Sequence, residues 1–160
     1  MATGQVEIRP GGLDDPRVIA LLRAHLDWTQ AQSPPESVHA LDLEGLKRPE
    51  ISFWSAWDGE DVLGVGALKR LSSDHGEVKS MHTARTARRR GVASIILARI
   101  IAAARDAGLR RLSLETGSMA MFEPARDLYH RHGFRECGPF GDYGEDPHSA
   151  FMTLELPDAE

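Results

Sequence analysis

The run from Glu77 to Glu115 constrains the fold more than any other part of the chain. Residues 77–83 alternate like a strand, residues 91–107 form an almost unbroken apolar helix, and residues 111–115 alternate again. A strand, a helix and a second strand in that order imply a crossover, with the two strands parallel or nearly so. Where the first strand gives way to the helix stands Ala87-Arg88-Arg89-Arg90-Gly91-Val92-Ala93-Ser94. A helix start leaves backbone N–H groups without partners and carries a partial positive charge. Arginines there oppose that charge by roughly 0.3–1 kcal/mol each, so such a sequence expects an anion. Gly91 has no Cβ to obstruct its approach, and the fitting guest is a phosphate or pyrophosphate. Val92, Ile95, Ile96, Leu97, Ile100 and Ile101, with Ala102 to Ala104, make the helix apolar nearly all round, which predicts cover on more than one side.

The flanking sequence extends this crossover into a mixed sheet. Residues 6–9 read as a strand. Asp15-Pro16 opens a helix to about Gln30, with Val18, Leu21, Leu22 and Leu26 on one face. Pro34 and Pro35 stop it, and a short helical turn is expected around Leu41 to Leu46. Residues 51–57 and 62–68 pair through a turn at 58–61, where Gly64 and Gly66 signal a bulge or close backbone approach. Pro124 opens a helix that Gly133 ends, a strand begins at Phe134, residues 138–147 form a loop, and residues 150–156 make the last strand. The order β-α-α-β-β-β-α-β-α-β-β is an α/β arrangement with helices on the faces of a mixed sheet. A length of 160 residues suits one domain over 1–160, with its core in 5–156.

Composition limits the partners. The net charge of −5 argues against nucleic acid as the partner of the whole molecule. Arg85 and Arg88 to Arg90 lack the interleaved aromatics of a nucleic-acid patch. Cys137 is the only cysteine, so no internal disulfide forms, and it reads as a small buried hydrophobe. No metal site is expected: His130 and His132 point to different sides of a helix. No apolar run reaches the ~18 residues of a membrane span, and the N-terminus has no apolar leader. A cytoplasmic protein with no membrane partner is the expectation. The apolar helix and exposed strand ends leave room for a homodimer.

Two motifs carry a resemblance. Arg88, Gly91 and Ala93 give Arg-x-x-Gly-x-Ala between strand and helix. Ala125, Leu128, Tyr129, Gly133 and Phe134 give Ala-x-x-Leu-Tyr-x-x-x-Gly-Phe after the next strand. Together with the element order, they resemble the GNAT superfamily of acetyl-CoA-dependent N-acyltransferases over about residues 5–156, most closely small bacterial members that share Leu114 to Ser118 and Gly138 to Tyr143. The resemblance implies about seven strands and about four helices, with the sheet splayed between strands 77–83 and 111–115. It implies acetyl-CoA as co-substrate, with the pyrophosphate cradled by the N–H groups of Arg89, Arg90, Gly91, Val92, Ala93 and Ser94, and Arg88 beside them. The backbone of Met81, His82 and Thr83 would run along the pantetheine arm. Glu115 and Phe122 also fall on the cofactor side of the cleft. Phe122 departs from the asparagine of many members, and Arg85 from their proline. Tyr129 falls where the family places a general acid for the departing thiolate, and Glu77 where some members place a base.

The chemistry is an expectation at this stage. An amine of pKa ~10.4 costs roughly 4.6 kcal/mol to deprotonate at pH 7, so a base or water relay must take its proton. Glu77 shares a strand face, by alternation, with Lys79, Met81 and Thr83. It is either that base or simply the partner of Lys79. Glu115 is a second carboxylate at the edge of the same cleft. The N–H of Met81 or a neighbour would serve as oxyanion donor. His82 faces opposite Met81 and packs against a helix. Trp28, His39, Trp54, Phe122 and Tyr143 are candidates to touch the acceptor, with Asp42 or Asp142 suiting a cationic amine. The expected reaction is acetyl transfer to a primary amine of a small molecule, or of a peptide, by direct attack in a ternary complex. The competing reading is a CoA-binding module without turnover, which would have no need of Glu77 and Tyr129.

Overall fold

The computed structural model describes residues 6–32, 43–84, 87, 91–141 and 143–156. Seven strands form one sheet in the order β1-β2-β3-β4-β5-β7-β6. The strands are β1 (Glu7–Pro10), β2 (Ile51–Asp58), β3 (Asp61–Arg70), β4 (His75–Thr83), β5 (Arg111–Gly117), β6 (Arg135–Cys137) and β7 (Ser149–Glu155). The helices are α1 (Pro16–Gln32), α2 (Leu43–Leu46), α3 (Val92–Asp106) and α4 (Glu123–Arg131), with a 3-10 turn at Ala120–Phe122. This is the expected element order. All pairings are antiparallel except β4 with β5, the two strands joined by the α3 crossover.

Hydrophobic patterning sorts the helices to the two faces of the sheet. Val92, Ile96, Leu97, Ile100 and Ala104 of α3, with Leu128 and Tyr129 of α4, pack on Trp54, Val78, Leu112, Leu114 and Met152. Val18 and Leu22 of α1 and Leu46 of α2 pack on Phe53, Trp57, Val65 and Ala67 on the other face. Helix α3 is covered on one side rather than all round: Ala98, Arg99 and Ala102 face outward, and Ile95 is 40% exposed. Alanine carries too little apolar surface to require burial, so those positions tolerate solvent. Cys137 is half-buried on the edge strand β6, not a core residue. Trp54 is a buried core residue in contact with the α3 layer.

Two irregularities in the sheet shape the site. The β3–β4 register shifts between Val65 and Ala67, opposite His82 and Lys79, so β4 holds one extra residue. Ser80 takes a left-handed φ of 57° there, the only positive φ on a non-glycine residue among those described. Gly66 makes room: a Cβ would come within 2.6 Å of the Ile96 side chain and 2.8 Å of the Met81 sulfur. Both readings of the glycine pair thus apply, bulge and close approach. The second irregularity is a split. β4 and β5 pair from His75↔Arg111 only as far as Val78↔Leu114. β4 then continues to Thr83 and β5 to Gly117 with no further rung between them. The sheet is splayed between these two strands, as expected.

Candidate active site

The split has two lips. Glu77 is the register partner of Ser113, and Val78↔Leu114 is the last rung. Lys79 and Glu115 are therefore the next residues on the Glu77 face, one on each lip where the ladder ends. Alternation fails beyond that point. The extra residue in β4 sends Met81 to the α3 side, where it packs on the core with Val78. Met81 thus does not share the face of Glu77 and Lys79, and the strand reading is corrected there. Thr83 is also turned: its partner Gly64 faces Val92 and Ile96 of α3. His82 partners Val65, which belongs to the opposite, α1-side layer.

On the β4 lip, Glu77 is 3% and Lys79 9% exposed. Tyr143, on the loop between β6 and β7, reaches both. Its hydroxyl donates to Glu77 Oε2 at 2.6 Å, and Lys79 Nζ donates to the Tyr143 oxygen at 2.9 Å and to Glu77 Oε2 at 3.2 Å. The Tyr143 ring is held by Phe140 at 5.1 Å and Phe151 at 5.5 Å between centroids. Burial, and then the Glu77 charge, push the Tyr143 phenol above its ordinary range, so it stays a neutral donor. The pairing of Glu77 with Lys79 is thus present, and a third group closes it.

On the β5 lip, Glu115 accepts a hydrogen bond from Ser149 Oγ at 2.7 Å. Burial pushes its carboxyl up to about 7; the Ser149 hydrogen bond and Lys79 pull it down, while Glu77 and Asp146 push it further up. Tyr129 of α4 is buried against Phe134, with ring centroids 5.8 Å apart. Burial and, second, the Glu115 charge raise its phenol. Tyr129 therefore keeps its proton at neutral pH.

At the anion end, Gly91 caps α3 with φ 76°. A Cβ at Gly91 would meet nothing within 4 Å, so backbone conformation rather than crowding selects glycine. The first helical bond runs from Ile95 N–H to Gly91 O. Val92, Ala93 and Ser94 precede it, so their N–H groups have no acceptor within the helix. That cradle and the part of β4 beyond its last rung with β5 fit an extended ligand ending in a diphosphate. Arg88, Arg89 and Arg90 lie outside the described residues, as do Arg85, His39, Asp42, Asp142 and the side chain of Trp28. Ser94 Oγ meets His132 Nε2 at 2.8 Å. Burial, and then Arg131, hold His132 below its ordinary range, hence neutral at pH 7.

Phe122 stacks on Gly117: a Cβ there would fall 2.1 Å from the Phe122 ring. Arg126 donates to the carbonyls of Gly117 and Met119 at 2.7 and 3.0 Å and fixes that turn. Phe122 thus braces the end of β5. Three features escape a reading of the sequence alone. Tyr143 is 66 residues from Glu77, and neither its aromatic character nor its place in the Gly138 to Tyr143 segment signals that tie. Ser149 carries no motif. Ser80 has a buried hydroxyl with no hydrogen-bond partner, a consequence of the bulge. Among the described residues there is no cluster of side chains able to hold a metal and no helix long and apolar enough to cross a membrane.

Comparisons with known proteins agree with this layout. The model of the acetyltransferase (GNAT) family matches residues 18–134. An uncharacterized N-acetyltransferase of Bacillus subtilis, YsnE, is 54% identical over 151 residues, 94% of this chain and 100% of that protein. The uncharacterized N-acetyltransferase YedL of Escherichia coli is 52% identical over 149 residues, 93% of this chain and 94% of that one. A GNAT family acetyltransferase from Elizabethkingia anophelis, solved with acetyl-CoA bound, has a TM-score of 0.69 at 18% identity, covering 94% of this chain and 98% of that one. That last likeness is one of fold.

Proposed function

The chain belongs to the acetyltransferase (GNAT) family, and from that premise we propose that it transfers the acetyl group of acetyl-CoA to a primary amine of a small molecule, by direct attack in a ternary complex. Glu115 is the base, Tyr129 the donor to the leaving sulfur, and Val92, Ala93 and Ser94 the diphosphate cradle. The observation that carries this reading is the position of Glu115. It sits on the lip of the split, with a carboxyl raised to about 7, and its charge is felt by Tyr129.

Proton arithmetic supports the assignment. Moving a proton from an amine of pKa ~10.4 to an ordinary glutamate of ~4.3 costs about 8 kcal/mol. Moving it to a carboxyl near 7 costs roughly 5 kcal/mol, a difference of nearly three orders of magnitude in rate if fully expressed. An ammonium that becomes an amide loses two protons. Glu115 takes one and releases it to solvent. The other ends on the sulfur as the C–S bond breaks and the new C–N bond forms, and Tyr129 donates a hydrogen bond to that sulfur. Glu77, locked to Lys79 and Tyr143, stands behind this exchange as part of the lip. Acetyl-CoA contributes the activated thioester carbon, and the N–H groups at the start of α3 orient it.

The test is a thermal shift with acetyl-CoA, followed by thiol release over a panel of amines. A ligand at about 100 times its dissociation constant adds ~2.7 kcal/mol of stability. Stabilisation together with amine-dependent thiol release supports transfer. Stabilisation without thiol release from any amine favours the CoA-binding module, and no stabilisation at saturation overturns the reading.

A further inference from the structure

Lys79 is an ammonium buried in the mouth of the split, and burial of a charge is costly unless the charge is paired. Its position is set twice over. Along β4 it is the first same-face residue past the last β4–β5 rung, which puts it across the gap from Glu115. Around it, Glu77 Oε2 and the Tyr143 hydroxyl hold the nitrogen at 3.2 and 2.9 Å, and Tyr143 is itself wedged between Phe140 and Phe151. Phe151 is the β7 register partner of Glu115. A single chain of contacts therefore runs from one lip to the other: Glu77, Lys79, Tyr143, Phe151, Glu115.

We propose that Lys79 is a positioning residue for acetyl transfer, clamped by Glu77 and Tyr143 so that its ammonium keeps the Glu115 carboxyl ready to accept the acceptor's proton. It acts through Glu115 and needs no contact with the acceptor. The inference rests on the reading of Glu115 as base and goes beyond it by naming what controls that base. Among the described residues, the groups acting on Glu115 are Lys79 and Glu77 from β4, Ser149 from β7 and Asp146 from the loop before it; Tyr129 of α4 in turn feels the Glu115 charge. Of the charged groups in that set, only Lys79 is cationic. An uncharged side chain in its place leaves Glu115 facing Glu77 and Asp146 alone, which favours its neutral, proton-holding form.

The experiment is the pH dependence of kcat/KM for acetyl transfer to one amine, recorded for the wild type, Lys79→Met, Lys79→Arg and Glu115→Gln. A single acceptor keeps its own titration common to every curve. The wild type is expected to lose activity below a midpoint near 7, set by Glu115. Lys79→Met should move that midpoint up by about one unit or more, whereas Lys79→Arg, which keeps the charge, should leave it in place even if the larger head lowers the rate. A role in packing alone would lower activity by the same factor at every pH, and an unmoved midpoint in Lys79→Met overturns the proposal. Should Lys79→Met fail to fold, Lys79→Gln at the same position is read the same way. If Glu115→Gln retains the wild-type midpoint, the assignment of the base has failed, an outcome distinct from failure of the role of Lys79.

Discussion

The two ends of the β4–β5 ladder are built from the same two strands and behave as opposites. At the paired end, among the described residues, no buried side-chain polar atom lacks a partner. His75 Nε2 lies 2.7 Å from Ser113 Oγ, Ser113 lies 2.9 Å from Thr153 Oγ1, and Arg111 Nε donates to Thr153 at 2.9 Å. A concavity of about 720 Å³ lies there, lined by Asp74, His75, Arg110 and Arg111. At the open end lie Ser80 with its left-handed φ and lone hydroxyl, Glu115 with a carboxyl raised to about 7, and the buried Lys79, held by Glu77 and the loop residue Tyr143. Strain and unsatisfied groups cost the folded chain stability and collect where a ligand is to be handled.

That contrast can be broken by substitution. The largest effect is expected from Glu115→Gln, which should lower kcat/KM by about 10²–10⁴-fold, while Ser113→Ala at the paired end should leave kcat/KM within a few-fold and cost about 1 kcal/mol of stability. Comparable losses from both would erase the distinction between the ends. The same carboxyl should make the open end a liability that depends on pH. A folded pKa of about 7 against an unfolded 4.5 means the folded state holds the extra proton between those values. The associated stability is fully present below 4.5 and is lost as pH rises through 7, a difference of ~3 kcal/mol. Denaturant melts should then show Glu115→Gln more stable than wild type at pH 8 and not at pH 4.5.

Smaller effects sharpen the picture. Gly91→Val imposes a β-branched side chain on a left-handed backbone, at a cost of about 2 kcal/mol, and should raise the dissociation constant for CoA by roughly thirtyfold in calorimetry. Arg88→Ala should raise it less; the reverse order would assign the grip to side-chain charge instead of the helix start. The smallest effect belongs to Ser80. Ser80→Gly removes the lone hydroxyl and relaxes the left-handed strain, so the unliganded protein should gain about 1 kcal/mol, or 2–4 °C in Tm. Destabilisation by Ser80→Gly would mean that the hydroxyl is answered in solution.

The element order was legible because each element announces itself locally: Pro16 and Pro124 open helices, Gly108 and Gly133 end them, and alternation marks the strands. The split followed from the resemblance, while the crossover implied only that the two strands run parallel. What alternation could not convey is the extra residue in β4. A bulge leaves the period of two intact on either side while turning Met81 to the other face. The tie from Tyr143 to Glu77 and Lys79 was equally hidden, because a loop's reach depends on how Phe140 and Phe151 pack beneath it. Glu115 could be named as a carboxylate near the cleft. That its carboxyl is raised depends on burial, and that Glu77 is held by Lys79 and Tyr143 depends on a loop far along the chain.

The central claim is that the open end keeps one carboxyl poised near neutrality. Carbon-detected NMR of glutamate side-chain carboxyls, with Glu115 assigned by loss of its signal in Glu115→Gln, reads this without any substrate. The account predicts a Glu115 midpoint near 7; a midpoint near 4, like that of an exposed glutamate, would contradict it.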